Sequence, residues 1–128
     1  MKRNMKHIVK EYNYFYIGGR MNRHKNGKGK VGTCQQRYLC SRISNIRNKE
    51  KDFKVLCYLF IPNINKARLE ALEADVKANL ADYYQHTGND HFEFPITDKK
   101  NDYFAFSLMA LAFAVKYCKQ NNLAYETF

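Results

Sequence analysis

The run Phe53-Lys54-Val55-Leu56-Cys57-Tyr58-Leu59-Phe60-Ile61 constrains this chain more than any other feature. It is rich in β-branched and aromatic residues, and Pro62 closes it. Such a run reads as a mostly buried strand, and a buried strand needs neighbours for its backbone N–H and C=O groups. The sequence offers two. Residues 8–17 alternate, with Tyr12, Tyr14 and Tyr16 on one face and Phe15 and Ile17 on the other, and they stop at Gly18-Gly19. The segment 20–29 is basic and glycine-rich and reads as a loop too polar to pack. Lys30-Val31-Gly32 then returns as a short strand, closing a long-looped hairpin.

Helical periodicity occupies most of the rest. Thr33 with Gln36 three residues later has the pattern of a capping box, and Leu39, Ile43 and Ile46 give the helix behind it a buried stripe. Asn65 is placed to cap a second helix with the stripe Leu69, Leu72, Val76 and Leu80. Phe92-Glu93-Phe94 before Pro95 reads as a brief extended segment. Asp102 opens a last helix through about Gln120, apolar on most sides and therefore packed against the sheet or a partner. The expectation is a single α+β domain over 1–128: a central antiparallel three-stranded sheet, made of a β-hairpin plus a third strand, flanked by helices, with an extra C-terminal helix at about 102–120.

Charge narrows the function. The formal net charge is +10, and its distribution is one-sided. Residues 1–51 carry 14 of the 22 Lys and Arg against two acids, Glu11 and Glu50, a net +12; residues 52–128 carry eight basic and ten acidic side chains, a net −2. A one-sided positive field suits a polyanion. Arg20, Arg23, Lys25, Lys28, Arg37 and Arg47 are the candidate nucleic-acid contacts. Cys34, Cys40, Cys57 and Cys118 form no CxxC pair and no zinc spacing with histidine, so they read as reduced thiols of a cytosolic-type compartment, with Cys57 and Cys118 in the core. The N-terminus has positive charge but no apolar h-region, and the greasiest stretch, 103–115, is shorter than the roughly 20 residues a membrane span needs. The expected location is cytoplasmic, or the host nucleus or virus factory for a viral chain, without membrane attachment. Abundant Lys, Asn, Tyr and Ile fit an AT-rich genome, viral or phage among them.

Two charged residues break the helical pattern. Glu73 lies four after Leu69 and three before Val76; Arg42 lies three after Leu39 and four before Ile46. Both therefore flank buried stripes, where a charge is costly without a compensating partner, metal or phosphate. They either pair with each other or solvent, or they act. Tyr14 and Tyr16 share a strand face near Lys30. Tyrosine or lysine to orient or deprotonate water, arginine for phosphorane charge and glutamate for a divalent cation would make a phosphodiesterase set. Tyrosines on a sheet face are more often packing or base-stacking groups than catalysts. His24 is a candidate imidazole in the basic loop, and His86 with His91 near Asp90 a weak candidate metal pair.

Taken in order, Tyr14-Phe15-Tyr16-Ile17, a loop, Lys30-Val31-Gly32-Thr33, Leu39-x-x-Arg42-Ile43 and Leu72-Glu73-x-x-Val76-x-x-x-Leu80 resemble the GIY-YIG nuclease superfamily. The nearest branch is the one common in phages and large DNA viruses, whose second motif reads K-[IV]-G. The resemblance covers about 12–95, and His91-Phe92-Glu93-Phe94 is similar to the segment that closes this module. It implies a DNA endonuclease with Tyr16 as the first-motif tyrosine, Tyr14 as its alternate two residues away, Lys30 at the first position of the second motif, Arg42 on the first helix, and Glu73 as the ligand of one Mg²⁺ or Mn²⁺. Tyr14 stands where the family has glycine, the hairpin loop is longer than in many members, and Ile46 stands where some members have histidine or tyrosine. The general base is thus left open. No separate recognition domain is visible, which implies weak sequence preference, a specificity partner or homodimerisation. Two other functions fit the same residues: a catalytically inactive nucleic-acid-binding module, and a small viral effector using the apolar last helix to bind protein.

Overall fold

A computed structural model describes residues 12–21, 26–34, 39–62, 64–88 and 90–128. It is α+β, with a sheet flanked by helices. The strands are β1 (Tyr12–Arg20), β2 (Asn26–Cys34), β3 (Phe53–Pro62), β4 (Gln85–Thr87), β5 (His91–Pro95) and β6 (Glu126–Thr127), and the described helices are α1 (Leu39–Lys49), α2 (Lys66–Leu80) and α3 (Lys99–Gln120). The strands form one antiparallel sheet in the order β4-β5-β2-β1-β3-β6.

The expected three strands are its centre, β2-β1-β3, but the sheet has six strands rather than three. The segment around Phe92 pairs with β2 from Asn26↔Pro95 to Lys30↔His91, β4 folds back on it, and the last residues add β6 beside Leu59 and Phe60. These additions obey an edge rule: an unpaired strand edge recruits whatever extended segment can reach it.

The hairpin itself departs from the expected loop. β1 runs on to Arg20 and β2 begins at Asn26, so much of the glycine-rich stretch is strand. Gly27 and Gly29 are buried because aromatic rings lie on their backbone: a Cβ would come within 2.0 Å of the Phe94 ring at Gly27 and within 2.4 Å of the Phe106 ring at Gly29. Glycine here permits close approach rather than flexibility. At its other end β2 continues through Thr33 to Cys34, so Thr33 is a strand residue and not a cap. Gln36 of the expected capping box lies outside the described residues, as does the side chain of Leu39.

The main core lies on one face of the sheet. Phe15, Ile17 and Val31 meet Leu69, Leu72, Val76 and Leu80 of α2, and Tyr103, Phe106, Ala110, Ala114 and Cys118 of α3. The α2 stripe is the expected one, and Asn65 caps the helix by accepting from Arg68 N–H at 2.8 Å. α3 starts earlier than expected, with Asp98 as its cap; Asp102 instead accepts the backbone N–H groups of Thr97 and Asp98. The opposite face carries a much smaller cluster of Tyr16, Ile43, Ile46 and Phe53 under α1. β3 is accordingly less buried than its composition suggests, with Phe53, Leu59 and Ile61 buried and Leu56 exposed. Cys34, Cys57 and Cys118 are free thiols, with Cys118 buried and Cys57 half-buried. No helix among the described residues is long and apolar enough to cross a membrane.

Candidate active site

The β2–β5 ladder stops at Lys30↔His91. One further backbone bond, Val31 N–H to Asp90 C=O at 3.1 Å, brings in the residue before β5. Beyond it, β2 from Gly32 to Cys34 is laddered only to β1. This open stretch of edge is where polar side chains from both faces of the sheet converge.

Tyr16 comes from the α1 face. It sits opposite Gly32 in the β1–β2 register, its ring packed edge-on against Phe53 and fully buried. A Cβ on Gly32 would stand 2.3 Å from the Tyr16 hydroxyl and 2.5 Å from the ring carbon bearing it. The ring is therefore laid across β2 at Gly32, which gives the glycine of the Lys30-Val31-Gly32 motif a physical reason. Burial pushes the Tyr16 hydroxyl up to about 12; the Arg42 guanidinium beside it pulls down, and the negative charges of Asp90 and Glu73 push up. At neutral pH the hydroxyl is a proton donor. Although Arg42 is close enough to act on it, the geometry of a hydrogen bond is not completed. Both the Tyr16 hydroxyl and Arg42 Nε are buried without a hydrogen-bond partner among the described residues. Leaving such groups unpaired costs on the order of 1–3 kcal/mol each, a cost that a ligand with acceptor oxygens would remove.

Glu73 comes from α2 on the other face. Its Oε1 accepts the Thr33 hydroxyl at 2.9 Å, and its Oε2 pairs with Lys77 one helical turn on. Lys77 also reaches Asp90, so one ammonium bridges two carboxylates. Burial alone would lower Lys77, but its hydrogen bonds to Asp90 and Glu73 more than reverse this and hold it above the usual lysine range. Lys30 is buried two residues from Gly32, about 7 Å along the strand. It lies 3.5 Å from Glu50, whose other oxygen is 2.7 Å from His91 Nε2. Burial would raise Glu50, yet the His91 hydrogen bond and the Lys30 charge hold it below the usual glutamate range.

The structure thus sets the Tyr16 hydroxyl in the field of Arg42, Glu73 and Asp90, while Lys30, two residues back from Gly32 along β2, pairs with Glu50. Tyr14 is not among them: it packs on Tyr58 and Phe60, on the far side of Tyr16 along β1. Among the candidate nucleic-acid contacts, Arg20 is bound to Asp52 at 2.8 Å, Lys28 stands 3.7 Å from Glu93, and Arg47 Nε donates to the Phe53 carbonyl while remaining exposed. Arg23, His24, Lys25 and Arg37 lie outside the described residues. His86 and His91 do not share a site, since His86 stacks on Phe92 and His91 serves Glu50.

Sequence reasoning missed Glu50 and Lys77, and it set Asp90 beside His86 and His91 rather than with Glu73. Lys77 carried a signal, being four residues after Glu73 on one helix; Glu50 and Asp90 are placed by long-range register and carried none. A broad groove elsewhere, walled by Leu56, Phe104 and Leu108 with Lys54, Lys99 and Lys100 on its rim, contains none of this cluster. Its walls are mainly apolar.

Among the described residues no group of three or more His, Cys, Asp or Glu side chains is arranged to hold a metal. Glu73 and Asp90 supply the hard oxygens Mg²⁺ prefers, with water completing the shell, although the Lys77 ammonium now lies between them. Comparison with protein-family models, curated proteins and solved structures finds no match.

Proposed function

We propose that this chain is a metal-dependent DNA endonuclease of the GIY-YIG type. The observation that carries the reading is the meeting of Tyr16, Arg42 and Glu73 at one edge, with the Tyr16 hydroxyl and Arg42 Nε buried and without a hydrogen-bond partner among the described residues. Packing of Tyr16 on Ile43 and Ile46 brings it beside Arg42 of the same helix, and the charge of Glu73 acts on the same hydroxyl from α2. The one-sided charge of residues 1–51 supplies the attraction for a polyanion.

Each residue then has a task. Arg42 faces the developing charge of the phosphorane with a donor already desolvated. Tyr16, protonated at neutral pH, donates to a phosphate oxygen or to the attacking water and fixes its direction. Lys30 adds positive charge near the scissile phosphate and is itself held by Glu50. Glu73 is the residue that would hold Mg²⁺ or Mn²⁺, steadied by the Thr33 hydroxyl. Bound there, the ion would neutralise phosphate charge and ease departure of the leaving oxygen.

Supercoiled plasmid incubated with Mg²⁺, Mn²⁺ or chelator tests this directly. Metal-dependent nicking is expected from the native chain and is expected to vanish in Glu73→Ala, with the circular dichroism spectrum unchanged. Glu73→Ala that nicks as well as the native chain defeats the assignment. One observation favours a second reading: both Glu73 oxygens are already engaged, as they would be in a module that binds nucleic acid without cutting it. No nicking by either protein, with a gel shift that weakens steeply with salt in both, would select that reading.

A further inference from the structure

The geometry points to Lys77 as the resident cation of this site: its ammonium holds the Glu73 oxygen that a divalent ion would need, so metal binding and the Glu73–Lys77 pair exclude each other. The identity of the metal ligand rests on the proposed nuclease function, but the competition itself is a matter of charge and space.

Three observations lead there. Lys77 Nζ pairs with Oε2 of Glu73 and with Oδ1 of Asp90, two carboxylates from separate parts of the fold. All three side chains are largely shielded, with 17%, 18% and 28% of their surfaces exposed for Lys77, Glu73 and Asp90, so water screens them only in part. The buried Tyr16 hydroxyl feels the charge of both carboxylates and has no hydrogen-bond partner among the described residues. Glu73 Oε1 is fixed by Thr33, leaving Oε2 as the oxygen that must change partner.

The arrangement suggests a hand-over rather than a blocked site. Lys77 has two carboxylates and can lose one. When an ion takes Glu73 Oε2, Asp90 keeps the ammonium, which then faces the phosphate as a further positive group. Counting the cluster by sign supports the need for it. Lys30, Arg42 and Lys77 balance Glu50, Glu73 and Asp90, so an incoming phosphodiester brings an uncompensated negative charge that an ion on Glu73 would offset.

Mn²⁺ binding, followed by calorimetry or by the loss of free-ion electron spin resonance, tests the competition without any requirement for cleavage. Lys77→Gln keeps amide donors for the carboxylates and removes the charge, and Lys77→Met removes both. Each is expected to bind Mn²⁺ about tenfold more tightly than the native chain, the order expected from removing one positive charge a few ångströms from the ion in a partly screened site. Glu73→Gln/Lys77→Gln should lose that gain. Affinity in both single variants within about twofold of native, or a gain that survives Glu73→Gln, overturns the proposal.

The native chain provides an arm that needs no variant. Saturating Mg²⁺ should raise acetylation of Lys77 by acetic anhydride relative to Lys116, an exposed lysine of α3, in peptide mass maps. An unchanged ratio also overturns the competition. The outcomes separate from those of the nuclease test: tighter metal binding with no nicking by any form removes the proposed function and leaves the competition standing.

Discussion

The two faces of the sheet are built on different terms. The face toward α2 and α3 is apolar to its centre, with the Phe106 ring in contact with those of Phe92 and Phe94 and Gly29 giving up its side chain to let Phe106 approach. Among the described residues the face toward α1 has four buried hydrophobic residues, one of them a tyrosine whose hydroxyl has no hydrogen-bond partner there. One face supplies stability and the other tolerates its loss. Polar groups can be left unsatisfied under α1 because the layer across the sheet holds the strands in place, which is the usual arrangement where a rigid scaffold carries a costly site.

The contrast breaks most easily on a pair of truncations. Phe106→Ala removes a fully buried ring from the thick layer and should cost about 3–5 kcal/mol. Ile46→Ala, in the thin layer at 6% exposure, should fall at the low end of its class, about 2 kcal/mol, because α1 has few neighbours and can settle into the space. Urea denaturation of both measures the difference. Equal losses would mean that α1 is as firmly seated as the main core and that the two faces are not distinct.

Much of this division was legible in the sequence, for reasons that differ from element to element. The stripes of α2 and the alternation of β1 are local rules, so Leu69, Leu72, Val76, Phe15 and Ile17 fall where the periods place them. Arg42 and Glu73 were visible as charges on the flanks of apolar stripes. The partners were not visible. Glu50 meets Lys30 and His91 only because the end of α1 returns over β2 and β5 pairs with β2 in one particular register. The glycine-rich stretch was misread for a related reason: what buries Gly27 and Gly29 is the approach of Phe94 and Phe106 from 65 or more residues away, and no local rule reports that.

Two glycines sharpen the comparison because they face opposite layers of the same strand pair. Gly29→Ala pushes on Phe106 and Gly32→Ala pushes on Tyr16. Both overpack, and each should cost about 1–3 kcal/mol. Their effects on function should diverge. Gly32→Ala drives the Tyr16 hydroxyl away from Arg42, and displacement of that size lowers a rate by on the order of 100-fold. Gly29→Ala leaves the β2 edge alone and should keep nicking per folded molecule near native. Plasmid nicking at matched folded fractions decides it, and equal losses in both would detach Tyr16 from the chemistry.

The smallest effect isolates the polar face by pH. Glu50 is held below the usual glutamate range by His91 and Lys30 against the opposing pull of burial. A carboxyl whose folded value is depressed stabilises the fold fully above its unfolded value, about 4.3, and that contribution disappears as pH falls through the lower folded value. The Glu50 share is therefore present at neutral pH and lost below about pH 4. Its size should be about 1 kcal/mol, since Lys30 and His91 are not fully sealed from water. Glu50→Gln should be less stable than the native chain at pH 7 by that amount, and the two should converge near pH 3. The comparison with Phe106→Ala makes the reading specific, because an apolar truncation costs the same at both pH values. A Glu50→Gln deficit that persists unchanged at pH 3 would place the cost in packing and remove the electrostatic account of the Lys30–Glu50–His91 contact.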